Sequence, residues 1–218
     1  MLRIGLTGGI GSGKSTVGQL LVELWPEEMS LLVMDDVAKE LMNSNAALRK
    51  SLQDAFGKDV YTGDGAGSLD RAKLAAIVFA DPQQLNLINS LVHPPTFDFT
   101  ARRAQDLAAA GYKFLIIETA LLYSTDAYKH NDLNVLVAAS EETRISRAIS
   151  RSSFTREQVL ARMKGQTDWA QVATRADYVL SNESGDMHQL KKDVVALHDF
   201  LKSKQDKTPL SNCHLVIV

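Results

Sequence analysis

The sequence has few of the features that mark a secreted, membrane-bound or nucleic-acid-binding protein. Its single cysteine, Cys213, excludes an intrachain disulfide and the usual multi-cysteine zinc sites. No apolar run approaches the ~20 residues of a membrane helix, and the N-terminal apolar stretch is interrupted at Gly5, unlike a signal peptide. A net charge of −2 predicts no basic surface for nucleic acid or an anionic membrane. We therefore expect a cytoplasmic protein that binds neither.

The N-terminal stretch combines a buried strand, a glycine-rich turn and a helix. Gly8 and the run Gly13-Lys14-Ser15 match the phosphate-loop pattern G-x-x-x-x-G-K-S/T. Such a loop aims backbone N–H groups at a phosphate, and the next helix adds the positive end of its dipole. The alternative, a glycine-rich turn that binds no ligand, does not account for the Lys-Ser pair. We therefore expect this loop to bind a nucleoside triphosphate. The candidate residues are Gly9, Gly11, Ser12, Gly13, Lys14, Ser15 and Thr16, with Lys14 on the β- and γ-phosphates and Ser15 on Mg²⁺.

Apolar runs and helical spacing alternate along much of the chain. The runs predict buried strands, and the segments between them predict helices. This pattern predicts an α/β fold, a three-layer α/β/α phosphate-loop NTPase core with a parallel sheet. The predicted strands are residues 2–6, 31–34, 113–118, 133–138 and 176–180.

Two predicted strands end in carboxylates. Asp35 follows the second strand and Glu118 ends the third. Ligands of such sheets bind at the carboxyl ends of the strands, so we favour a functional Asp35 over a mere helix N-cap. Glu118 fits the loose Walker B pattern, in which the acid helps to hold Mg²⁺. That pattern is common by chance, so Glu118 is a weaker candidate.

Residues 68–110 have helical patterns and no strand signal, which is too long for a simple crossover. We expect an inserted helical lobe there that holds a second substrate. Pro94 and Pro95 predict an interruption of the helix after His93. The run from Asp64 to Gly67 satisfies D-x-x-G, as in GTPases. No guanine-reading N-K-x-D motif follows it, so we interpret it as a turn.

The segment after the fourth strand is rich in arginine and predicts a helical lid. Arg147 and Arg151 share one helix face. Such spacing usually indicates a basic face exposed to solvent. In a phosphoryl-transfer enzyme, the same pair of arginines can neutralise charge on the phosphate during transfer. Thr155 and Gln158 fit a capping box at the next helix. Farther on, the polar turn around Asn182 could contact an adenine edge. The arginines of this segment are Arg144, Arg147, Arg151, Arg156 and Arg162.

Several motifs, in order, resemble those of the dephospho-CoA kinases, which phosphorylate the ribose 3′-hydroxyl of dephospho-CoA. The resemblance runs from residue 2 to about residue 201. Besides the phosphate loop, it rests on the segments MDDVAKEL, GSLDRAKLAAIVFADP, LINSLVHP and RISRAISRSSFTREQVLARMKGQ. The last three segments are far more selective than the loop. Together, the matches place Asp35, His93, Arg147, Arg151 and Gln166 on family positions.

The resemblance implies a role for each matching residue. Asp35 would be the catalytic base, with Lys14 and Arg147 completing the catalytic set. Arg147, Arg151 and Asn182 would join the loop in binding ATP with Mg²⁺. Dephospho-CoA would be bound by Thr7, Asp35, Lys39, Arg71, His93 and Leu121. The implied partners are ATP and dephospho-CoA, and the implied assembly is a monomer or small homo-oligomer.

The sequence departs from the family pattern at several points. Val33 replaces the first Asp of D-x-D, and Lys39 replaces an Arg, which keeps the charge but loses the bidentate fork. Ala120 and Ser124 replace a Pro and a Glu, and Ser152 replaces an Asp. These changes affect the expected Mg²⁺ shell and substrate contacts, not the loop or Asp35.

The expected organisation has four parts. The nucleotide-binding core comprises residues 1–62, 111–140 and 170–204, the helical substrate lobe 63–110, the lid 141–169 and a C-terminal tail 205–218. Two alternatives to the dephospho-CoA kinase reaction stay open at this point. One is another nucleoside or nucleotide kinase on the same core, and the other is a nucleotide-dependent switch protein.

Overall fold

The computed structural model describes residues 1–151, 154–164 and 167–205. The predictions for Ser152, Gln166, Cys213 and the tail beyond residue 205 lie outside these residues. Within them, no helix is long and apolar enough to cross a membrane.

A five-stranded sheet runs through the protein in the order β2-β3-β1-β4-β5. The pairings of β1 with β3, β1 with β4, and β4 with β5 are parallel. All residues of β3 are buried, as expected for a strand covered on both faces. The strands are β1 (Leu2–Thr7), β2 (Met29–Val33), β3 (Phe114–Glu118), β4 (Leu133–Ala138) and β5 (Tyr178–Ser181). The α/β fold predicted from the sequence is confirmed.

Helices connect the strands. They are α1 (Lys14–Leu24), α2 (Met34–Ser44), α3 (Ala46–Phe56), α4 (Arg71–Ala80), α5 (Pro82–Ala109), α6 (Glu141–Arg151), α7 (Arg156–Met163), α8 (Trp169–Ala173) and α9 (Met187–Gln205). Short 3₁₀ segments span Lys58–Val60 and Ala127–His130. The predicted capping box at α7 is present, since Thr155 and Gln158 each bond the other's backbone N–H.

The chain divides into two compact units. The first comprises residues 1–31 and the described residues after residue 107, and the second comprises residues 32–107. In the first unit, β1, β3 and β4 pack with α1 and α9 around a core that includes Leu6, Val17 and Val194. The second unit is built on α2 to α5, and its core includes Leu52, Val60 and Leu74. The second unit begins before residue 63, where the sequence analysis begins the helical lobe.

The prolines in the second unit do not break their helix, contrary to the prediction. Pro94 and Pro95 lie inside the single helix α5. Each lacks the N–H that would donate to a carbonyl one turn earlier. The hydroxyl of Thr96 donates to the His93 carbonyl at 2.7 Å, and Val92 and Thr96 are buried. Packing of this helix against its unit therefore outweighs the local cost of the prolines.

The loop of Asp64 to Gly67 is a structural turn. The side chains of Arg49 and Gln53, both from α3, donate to the Gly65 carbonyl at 2.8 and 2.7 Å. A bridge between Tyr61 and Leu69 closes the turn. These contacts account for the segment without a nucleotide.

Candidate active site

The phosphate loop connects the end of β1 to the start of α1. The Ser12 N–H donates to the Gly9 carbonyl at 3.1 Å, which curls the loop. Gly13 caps α1 with φ 92°, a left-handed conformation that side chains disfavour. A Cβ on Gly13 would also collide with the amide of Asn182. That amide donates to the Ser12 carbonyl at 2.8 Å, so Asn182, which directly follows β5, holds the loop.

Buried polar atoms without a partner concentrate around this loop. Among the described residues, the atoms without a hydrogen bond include Thr7 Oγ1, Ser12 Oγ, Glu118 Oε2 and Arg144 Nη1. Buried polar groups are normally paired, so each needs an explanation. A bound ligand with many oxygen atoms is the kind of partner these groups lack.

Ser15 and Glu118 form the oxygen-rich part of the site. The Ser15 hydroxyl donates to Glu118 Oε1 at 2.6 Å. The parallel register of β1 and β3 pairs Leu6 with Glu118, which brings the carboxylate to the loop. Glu118 is 3% exposed. No group of three or more His, Cys, Asp or Glu side chains that could hold a metal ion occurs in the part of the chain that the structure describes. A hydroxyl and one carboxylate fit Mg²⁺, which usually keeps several waters and takes substrate phosphate oxygens.

Arg147 of α6 forms hydrogen bonds with the residues that follow β5. Its guanidinium donates to the carbonyls of Asn182 at 2.7 Å and Glu183 at 3.2 Å. The Glu183 carboxylate accepts from the N–H and hydroxyl of Ser140, each at 2.7 Å, and from the Thr143 hydroxyl. These hydrogen bonds lower the pKa of Glu183 to about 2. One loop thus positions both Arg147 and Asn182.

Three residues that contribute to this site were not predicted from the sequence. Arg144 and Trp169 both lie against Gly9, and Glu183 organises the loop that holds Arg147. A signal existed for Arg144, because Arg144, Arg147 and Arg151 follow the spacing of one helix face. No local pattern indicated Glu183 or Trp169.

The other predicted residues of the first unit have varied environments. Lys14 begins α1 and is half-buried, and Thr16 follows in the same turn. Thr7 is fully buried at the end of β1, whereas Leu121 is 48% exposed. Arg151 is exposed at the end of α6.

The remaining predicted substrate residues belong to the second unit. Asp35 is exposed in the first turn of α2, where Val33 is the N-cap, so the interpretation of Asp35 as an N-cap is wrong. Lys39 pairs with Asp36 at 2.5 Å. Arg71 is exposed at the start of α4. His93 is half-buried, and burial lowers its pKa.

A family model described as dephospho-CoA kinase matches residues 2–188. The chain belongs to the dephospho-CoA kinase family. The dephospho-CoA kinase of Chlorobium luteolum is 38% identical over 200 residues, covering 91% of this chain and 90% of that protein. The dephospho-CoA kinase of Chlorobaculum tepidum is 36% identical over 204 residues, covering 92% of this chain and 95% of that protein.

Solved structures agree with the fold. A Thermus thermophilus protein matches with a TM-score of 0.77 and 31% identity, covering 93% of this chain and 97% of its own. The dephospho-CoA kinase from Campylobacter jejuni matches with a TM-score of 0.59 at 20% identity, covering 91% of this chain and 96% of its own. Membership of the dephospho-CoA kinase family identifies this chain as a kinase, and therefore as an enzyme that uses ATP. The resemblance found in the sequence is confirmed.

Proposed function

We propose that this chain transfers the γ-phosphate of ATP to the ribose 3′-hydroxyl of dephospho-CoA, which yields CoA and ADP. The observation that carries the proposal is the family match over residues 2–188, which includes the phosphate loop and the elements that hold it. The unpartnered buried polar atoms around the loop support an oxygen-rich ligand there.

The phosphate loop binds the polyphosphate of ATP. Its backbone N–H groups and the N-terminus of α1 stabilise the phosphate oxygens. Lys14 supplies a point charge for the β- and γ-phosphates, and Arg147 and Arg151 neutralise the charge that develops during transfer. Asn182 keeps the loop in shape through its bond to the Ser12 carbonyl.

Ser15 and Glu118 would hold Mg²⁺. The free Oε2 of the buried Glu118 and the adjacent hydroxyl of Ser15 support this assignment. An Mg²⁺ ion held by these two residues would offset the negative charge of the phosphates. Glu118 meanwhile fixes the orientation of the Ser15 hydroxyl.

Asp35 positions the acceptor hydroxyl and accepts its proton. Its exposure in the first turn of α2 supports this role. The substrate is bound by Lys39, Arg71, His93, Thr7 and Leu121. Exposed or half-buried cations at Lys39 and Arg71 suit the phosphates of dephospho-CoA.

An acceptor panel tests the proposed function. ADP release is measured with dephospho-CoA, AMP, other nucleoside monophosphates and no acceptor, and the product is located by phosphorus NMR. We expect transfer to dephospho-CoA and a new 3′-phosphate. Turnover with a nucleoside monophosphate and none with dephospho-CoA would reject the proposal in favour of another small-molecule kinase. Partner-dependent ATP hydrolysis alone would indicate a switch protein.

Two further properties stay predictions. We propose that the chain works in the cytoplasm, where ATP-dependent synthesis takes place, and as a monomer or small homo-oligomer. Fractionation of cells and light scattering of the purified chain test these points.

A further inference from the structure

Arg144 is a buried cation. This residue of α6 is 9% exposed, although arginine is among the residues least often buried without a partner. Its Nη1 atom is fully buried and has no hydrogen-bond partner among the described residues. Burial lowers the pKa of the guanidinium, and Glu141, one turn earlier, partly offsets that effect.

Arg144 lies directly against the phosphate loop. A Cβ on Gly9 would collide with its Nη1, would lie 3.1 Å from its Cζ, and would lie 2.8 Å from the indole nitrogen of Trp169. A Cβ on Gly11 would collide with the backbone carbonyl of Arg144. Both the main chain and the side chain of this residue therefore form the surface on which the loop rests.

Other arginines of the same segment are compensated. Arg147 donates to two carbonyls, and Arg156 pairs with Glu142 at 2.7 Å. A buried charge without such compensation is costly in free energy. Such a cost is tolerated where a ligand of opposite charge offsets it, and the phosphate loop is an anion site.

We propose that Arg144 is a positioning residue whose buried charge, acting through Gly9, strengthens the binding of the nucleotide polyphosphate. The inference rests on the proposed function in one respect, that the loop binds ATP. The charge acts at a fixed place because the side chain is packed against the loop. Glu141 offsets the effect of burial only in part, and binding of the polyphosphate supplies further negative charge near Nη1.

The test compares Arg144→Met and Arg144→Lys with the unchanged chain. Titration calorimetry gives the Kd for ATP and for inorganic tripolyphosphate, and thermal unfolding without ligand gives the Tm. We expect Arg144→Met to weaken both ligands on the order of tenfold without lowering the Tm, since it removes an uncompensated buried charge. Arg144→Lys should restore most of the affinity.

Arg156→Met is the matched control. It removes the same charge from α7, where the side chain is exposed and paired with Glu142, and both Kd values should stay unchanged.

Two results would overturn the proposal. The first is unchanged affinity for both ligands in Arg144→Met. The second is a weakened affinity together with a lower Tm and no rescue by lysine, which would identify Arg144 as a packing residue only. Neither ligand is the phosphate acceptor. If the chain binds ATP but does not phosphorylate dephospho-CoA, the proposed function is rejected. The role of Arg144 in ATP binding can still be tested in that case.

Discussion

At the phosphate loop, single side chains are held by partners far away in the sequence. Ser15 and Glu118 are 103 residues apart, and Asn182 and Ser12 are 170 apart, yet each pair forms a hydrogen bond. These bonds fix the loop before any ligand arrives. Such preorganisation lowers the ordering cost of binding, so substitutions here should change function more than folding.

Lys14→Ala should abolish phosphoryl transfer, because the loop loses the ammonium that binds the β- and γ-phosphates. Lys14 is half-buried and begins a helix, so we expect a change in stability of about 0.5 kcal/mol or less. ADP release and thermal unfolding measure the two effects. Lys191→Ala, an exposed lysine of α9, is the control and should keep full activity. Residual transfer near the original rate would contradict the assignment.

Asp35→Asn should lower kcat by about 10²-fold or more, the range for a positioned acid or base. ATP affinity should be nearly unchanged, because the amide keeps the size of the side chain. Steady-state kinetics and calorimetry provide both values. Asp36→Asn removes a neighbouring carboxylate that pairs with Lys39, and it should change KM for dephospho-CoA more than kcat. Equal turnover in Asp35→Asn and the unchanged chain would remove Asp35 from the mechanism.

Glu183 predicts a pH dependence of stability. Its pKa falls from 4.5 to about 2 in the folded chain. The folded state therefore binds the proton less readily than the unfolded state, and the stabilisation is complete above pH 4.5 and lost as the pH falls toward 2. We expect Glu183→Gln to lower the Tm at neutral pH. The difference in Tm between this variant and the unchanged chain should shrink as the pH falls from 4.5 toward 2. Thermal unfolding across this range checks it, and a constant difference would argue against the hydrogen-bonded carboxylate.

At the scale of elements, the arginine-rich segment includes α6 and α7, and a capping box lies at the N-terminus of α7. Thr155 accepts from the Gln158 N–H, and the Gln158 side chain accepts from the Thr155 N–H. Val159 then buries completely against Ile145 of α6. A local sequence signal and a tertiary contact agree here, which explains why this helix was predicted correctly.

Thr155→Ala should destabilise α7 by about 1 kcal/mol, the usual cost of a lost N-cap. Thr155→Ser keeps the hydroxyl and should restore most of that loss. Amide hydrogen exchange over Arg156–Met163 reports the local effect. Equal exchange rates in the alanine variant and the unchanged chain would show that packing alone holds α7.

At the scale of the whole molecule, the chain consists of two compact units with separate cores. The phosphate loop, Glu118 and Arg147 belong to the first unit. Asp35, Arg71 and His93 belong to the second. The proposed reaction therefore predicts that each substrate has its main contacts in a different unit.

Hydrogen exchange with each substrate alone tests this division. ATP should protect the phosphate loop and α6 in the first unit, and dephospho-CoA should protect segments within residues 32–107. Each ligand should also raise the Tm. At a hundredfold excess over its Kd, a ligand stabilises the folded chain by about 2.7 kcal/mol. If ATP without dephospho-CoA protects the second unit and does not protect the phosphate loop, the assignment of the two sites is wrong.

The sequence by itself determined the parts of this protein whose signals are contiguous. The strand, glycine turn and helix of the phosphate loop lie next to one another in the chain, so their pattern is complete in residues 1–25. The five apolar runs likewise predicted the sheet, because buried parallel strands need continuous apolar residues. Thr155 was a recognisable cap of α7 for the same reason.

Only the tertiary structure decided what depends on contacts between distant elements. The burial of Arg144 requires α6 to lie on the loop, and the low pKa of Glu183 requires β5 to end beside α6. The prolines of α5 stay helical because burial of Val92 and Thr96 outweighs a local preference. Free energies of burial and of long-range hydrogen bonds arise from the folded arrangement, and no short window of sequence contains them.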